Sequence, residues 1–108
     1  MKLDRNVNQT GKGKYALINL RKIPSDPRTA QELAAAILAN PGCVEFGAVG
    51  SPDEFWVIKL KDRYAGRALS GYAKAIDLDA GGDDEYAEEV AALANRSGLA
   101  HPLCKRPD

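Results

Sequence analysis

The residues best suited to chemistry are gathered at the start of the chain. "NVNQTGKGKY", residues 6–15, holds two glycines, two lysines and three side-chain amides in ten positions. Glycine backbone N–H groups and lysine ammonium groups can close around a phosphate, so Gly11, Lys12, Gly13 and Lys14 form a candidate anion cradle. Arg5 would add a cation from upstream, and Lys105 and Arg106 would add two from the tail. Asn6 and Asn8 have the amide groups to read a base edge or a ribose, and Tyr15 has the ring to stack on a base. The match to a P-loop is incomplete. That motif is GxxxxGK[ST] between a strand and a helix, whereas Gly11-Lys12-Gly13-Lys14 runs into a strand. A plain polar turn and a protein contact are the other readings of the same residues.

Other reactive groups are sparse. His101 and Cys104 stand as His-x2-Cys, which supplies two adjacent metal ligands, and Cys43 is a distant third; a closed zinc site needs four. A Cys/His nucleophilic pair at 104 and 101 would lack a residue to orient it. The acidic residues between 77 and 89 have neither the spacing of a calcium loop nor that of a glycosidase pair. No metal, no cofactor and no enzymatic activity are expected.

Size and charge limit what remains. A chain of 108 residues, 44% hydrophobic, suits one domain spanning 1–108. Fifteen basic and fifteen acidic residues cancel, which argues against a general nucleic-acid binder. The charge is nonetheless segregated: six basic residues against Asp4 alone over 1–24, and seven acidic residues with no base over 77–89. Such polarity favours head-to-tail self-association or a face for an anionic partner. Absence of a long apolar run or a signal-peptide core leads to the expectation of a soluble, intracellular protein without a membrane partner. Two cysteines do not make a disulfide framework.

Periodicity then supplies the scaffold. "KYALINLRKI", 14–23, alternates as a strand, with Ala16, Ile18 and Leu20 on one face. A helix follows, capped by Asp26 with Pro27 at its first position, or one turn later by Thr29 with Glu32; Ala30, Leu33, Ala34, Ile37 and Leu38 form its stripe, and Asn40-Pro41-Gly42 stops it. "CVEFGAV" and "EFWVIKLK" around "GSPDE" predict an antiparallel hairpin. Ala65, Ala68, Leu69, Tyr72, Ala73 and Ile76 predict a second helix capped by Asp62. A third starts near Asp83 and ends before Gly98. The order βαββαα predicts an α+β fold: a small, mostly antiparallel three-stranded sheet with three helices packed on it. Tyr15, Leu17, Phe55 and Val57 would line a partly apolar exposed sheet face, which predicts a homo-oligomer.

Three stretches, "KLDRNVNQTGKGKYALINLRKI", "EFWVIKLKDRYAGRALSGYAKA" and "EYAEEVAALANRSGLAHPLCKRPD", resemble small uncharacterised proteins encoded by tailed bacteriophages and prophages. The resemblance covers most of the chain. It implies a phage-type accessory protein acting in the bacterial host cytoplasm, and a non-enzymatic binder such as an antagonist of host defence. Joined to the residue reading, it gives two expectations. One is a binder of a phosphorylated or nucleotide ligand through the basic Gly-rich segment. The other is a protein–protein inhibitor of a host enzyme or complex that uses its acidic or apolar face.

Overall fold

Capping chemistry decides where the regular structure begins. In the computed structural model, which describes residues 13–105, the Thr29 hydroxyl accepts the Glu32 N–H at 3.1 Å, so the first helix, α1, runs Ala30–Ala39. Asp26, the other candidate cap, instead takes the Arg28 guanidinium through two hydrogen bonds at 2.9 and 2.7 Å. A side chain already committed to a neighbouring cation is a poorer cap than one facing the orphan N–H groups.

The chain divides into two compact units, Met1–Val57 and Ile58–Asp108. In the first, β1 (Leu17–Ile18) pairs antiparallel with β2 (Val44–Glu45), with Leu17 opposite Glu45 and Ile18 opposite Val44. The core of this unit is Ile23, Ala36 and Cys43, with Ile18, Leu33, Ile37 and Val44 packed against it.

The sheet has two strands, and this corrects the three-stranded expectation. Two local causes are visible. Asn19 accepts the Arg21 N–H on its side chain and opens a 3-10 turn, Leu20–Lys22, which ends β1 and brings Ile23 into the core while leaving Leu20 exposed. Downstream, the predicted hairpin does not form among the described residues. Gly47 and Gly50 adopt left-handed φ values of 71° and 78°, which interrupt the alternation that a strand requires. The backbone between them and Phe55 is satisfied locally: Ser51 N–H donates to Ala48 O, Glu54 N–H to Ser51 O, and Gly50 N–H to the Glu54 carboxylate. A Cβ on Gly47 would lie 2.6 Å from the Phe55 ring, so the ring packs on bare backbone instead of taking a place in a ladder. Of the four residues expected on an exposed sheet face, Leu17 is exposed and Tyr15, Phe55 and Val57 are half-buried.

The second unit is an antiparallel helical hairpin. α2 (Ala65–Leu78) and α3 (Asp84–Ala94) pack on each other, and a short turn joins them. Their contact uses small side chains: Ala65, Ala73, Ala87, Val90 and Ala94 are buried. At one end the helices meet at backbone distance, where a Cβ on Gly66 would lie 3.0 Å from the Ser97 carbonyl. At the other end a Cβ on Gly82 would overlap the Ile76 carbonyl. Asp83 caps α3 by accepting the Tyr86 N–H at 3.1 Å. Asp62 accepts the Tyr64 N–H at 2.8 Å and turns the chain into α2, whose own N-cap position is Tyr64. No helix of the described residues is long and apolar enough to cross a membrane.

Candidate functional site

The sequence-predicted site divides between the two units. Arg5, Asn6, Asn8, Gly11, Lys12 and Arg106 lie outside the described residues. Gly13, Lys14 and Tyr15 belong to the first unit, where the Lys14 ammonium stands 5.6 Å from the centroid of the Tyr15 ring, within cation–π range. Lys105 belongs to the second. Its N–H donates to Lys61 O at 2.9 Å and its carbonyl accepts the Arg63 N–H at 2.8 Å, a parallel bridge that places the tail beside the start of α2.

That bridge leads to a groove. Arg63, Arg67 and Ser70 line one wall, Asn95, Leu99 and Ala100 the other, and the open space between them is about 270 Å³. Gly66 and the buried Ser97 form its floor; Ser97 Oγ donates to Leu93 O at 2.7 Å, so it is a structural hydroxyl and not an offered one. Gly98, with φ 62°, closes the end: its N–H donates to Leu60 O at 2.8 Å, and a Cβ there would come within 2.9 Å of Arg63 O and Gly66 N.

The two guanidinium groups are available. Among the described residues no carboxylate pairs with Arg63 or Arg67, and the only nearby acid in sequence, Asp62, is engaged with the Tyr64 N–H. Arginine presents a planar fork of donors that matches phosphate and carboxylate oxygens two at a time. Ser70 Oγ and the Asn95 amide add neutral donors at the walls. The volume is slightly below the roughly 300 to 1,000 Å³ of a small-molecule pocket, which suits an anionic headgroup better than a whole nucleotide.

Sequence reading passed over these residues although their spacing was visible. Arg67 and Ser70 are three apart on one face of α2, with Arg63 one turn earlier. Of the remaining chemical candidates, Cys43 is a buried free thiol, Cys104 a half-buried one, and His101 Nδ1 accepts the Leu103 N–H at 3.0 Å. Among the described residues no group of three or more His, Cys, Asp or Glu side chains could hold a metal ion.

Closer to the turn, the hairpin surface carries a tyrosine pair. Tyr72 and Tyr86 stand edge to face with ring centroids 6.0 Å apart, and their hydroxyls are hydrogen-bonded at 2.9 Å. This hydrogen bond, with a smaller contribution from burial, holds the Tyr86 phenol above its ordinary value of 10.0. Comparison with protein-family models, curated proteins and solved structures finds no match to this chain.

Proposed function

We propose that this chain is a non-enzymatic, phage-type accessory protein that binds a phosphorylated or nucleotide ligand by its phosphate, with Arg63 and Arg67 as the principal contacts. The observation that carries this reading is the pair of guanidinium groups, without carboxylate partners, on one wall of a groove fit for a headgroup. Lys105, one of the cations expected to join the ligand, is held next to Arg63 by the bridge to Lys61. The basic segment through Lys12 and Lys14 is the competing contact for the same ligand. The sequence resemblance supports a role in the host cytoplasm as an antagonist of host defence, working as an oligomer.

The test is calorimetric titration of the full chain with pyrophosphate and with ADP. Each charge-assisted contact contributes on the order of 1.5 to 3 kcal/mol, so Arg63→Ala with Arg67→Ala weakens binding at least about a hundredfold. Unchanged affinity in that variant, with loss in Lys12→Ala with Lys14→Ala, moves the site to the N-terminal segment. Unchanged affinity in both rejects the reading.

A second reading rests on exposed apolar side chains. Phe46 and Trp56 are 58% and 56% exposed, and Leu17, Leu20 and Val49 in the same unit are exposed as well. A host protein contacted through this apolar surface is the inhibitor expectation, and it needs no ligand in the groove.

A further inference from the structure

The charges of the second unit are sorted along the hairpin. At the groove end stand Lys59, Lys61, Arg63, Arg67, Arg96 and Lys105, against Asp62 alone. Toward the turn, over the last part of α2 and the first half of α3, stand Asp77, Asp79, Asp83, Asp84, Glu85, Glu88 and Glu89, with Lys74 the one base between Arg67 and Arg96. A helix of 14 residues is about 21 Å long, which is more than two Debye lengths at physiological salt, roughly 8 Å each. The two poles of one copy therefore do little to neutralise each other.

Shape follows the same division. The basic end is concave, the groove described above. The acidic end is a projecting turn, tied by Asp79 N–H to Ile76 O at 3.1 Å and Gly82 N–H to Asp79 O at 2.9 Å. Each end also presents a bare leucine, Leu78 beside the turn at 79% exposure and Leu99 in the groove wall at 66%. An ion-pair contact between exposed groups is weak by itself; an apolar contact inside the charged ring adds area removed from water.

We infer that the groove of one copy receives the acidic turn of another, so that the second units associate head to tail. The inference rests on the reading of the groove as an anion site and names a second occupant for it. Arg63 and Arg67 meet the carboxylates of Asp77 and Asp84, and Leu99 meets Leu78. Such a contact joins two different surfaces, so an open assembly keeps one free groove and one free turn and either grows into a longer chain or closes as a ring that uses both. Free ligand and a neighbouring copy compete for the same guanidinium groups, which makes assembly responsive to ligand.

Sedimentation velocity on the full chain tests this. At low ionic strength the wild type shows species larger than a monomer that grow with concentration, and 1 M salt, where the Debye length is about 3 Å, returns it to monomer. Arg63→Ala with Arg67→Ala and Asp77→Asn with Asp84→Asn are each monomeric. Mixed one to one, they form a dimer and nothing larger, because only one intact groove and one intact turn remain to pair. A monomeric wild type at low salt, an unaffected Asp77→Asn/Asp84→Asn variant, or a mixture that stays monomeric overturns the inference. Pyrophosphate titration of the Asp77→Asn/Asp84→Asn variant separates the two readings. Binding there with no dimer in the mixture leaves the anion site standing and removes the head-to-tail contact. Absence of both removes both.

Discussion

α2 and α3 are partners in one hairpin, of similar length and similarly rich in alanine, yet their charges obey opposite rules. α3 opens with Asp83 as its cap and Asp84 and Glu85 in its first turn, and Arg96 follows its end. That is the distribution the helix dipole favours, negative at the start and positive at the finish. α2 has no acid in its first turn and no base in its last; it carries Arg67 near the start and Asp77 near the finish. Each reversed charge is unfavourable by about 0.3 to 1 kcal/mol at an exposed site. Helix stability thus accounts for the charges of α3 and fails to account for those of α2. The lesson concerns where to look for function: an acidic cluster with a local structural reason is weak evidence of a site, while a pair of arginines placed against their own helix needs another reason.

The comparison depends on the two helices sharing one frame, and Gly98 is where that frame is most easily broken. Its left-handed φ disfavours any side chain by about 1 to 3 kcal/mol, and its Cβ would press on the backbone of Arg63 and Gly66. Overpacking against backbone adds about 1 to 3 kcal/mol. Gly98→Val is therefore expected to lower stability by about 3 kcal/mol, read as a large drop in the urea midpoint. The same change should remove anion binding by spreading the groove walls. A stable Gly98→Val protein would mean that the helices do not meet so closely, and the contrast between their charges would lose its structural basis.

A pair of substitutions of smaller effect addresses the contrast directly. Asp83→Ala deletes the α3 cap and should cost about 1 kcal/mol without touching the groove. Arg67→Glu places an acid in the first turn of α2, where the dipole favours it, and should raise stability by about 0.5 kcal/mol while anion binding falls. Thermal melts and pyrophosphate titrations on both variants give the signs. If Arg67→Glu destabilises the protein, the arginine has a structural role and the argument for its function fails.

Much of this hairpin was legible beforehand. The stripe Ala65, Ala68, Leu69, Tyr72, Ala73 and Ile76 falls within α2, though Ala68 and Tyr72 are exposed, and the Asp83 start follows from capping, whereas Tyr64 stands at the N-cap expected for Asp62 and α3 ends at Ala94, ahead of Gly98. The first helix was legible too, with Thr29 among its possible caps. The sheet was not, because "CVEFGAV" and "EFWVIKLK" carry the apolar content of strands, whereas the decisive facts are the left-handed Gly47 and Gly50 and the packing of Phe55 on Gly47. Those depend on tertiary contact, to which strand propensity yields readily. The groove escaped for a related reason. Arg63 and Arg67 are near in sequence, but Asn95, Leu99 and Lys105 reach them only once α3 has folded back and the tail has bridged to Lys61.

The smallest effect is the most local. Tyr72 and Tyr86 supply, among the described residues, the side-chain hydrogen bond that links the two helices, and it is exposed to solvent. Tyr86 can donate this bond only while its phenol is neutral, so the bond raises its ionisation above 10.0. A group whose folded value is raised lends its stability below the unfolded value and loses it as pH climbs through the folded one. The wild type should therefore lose this contribution in strongly alkaline solution, above about pH 10. Tyr72→Phe keeps the edge-to-face rings and removes the acceptor. Its expected effects are an earlier ionisation of Tyr86, followed through the ring carbon shifts by NMR, and little change in stability at neutral pH. Should Tyr86 titrate late in the Tyr72→Phe variant as well, the acidic residues around it raise its ionisation, and the field of α3 reaches the face it shares with α2.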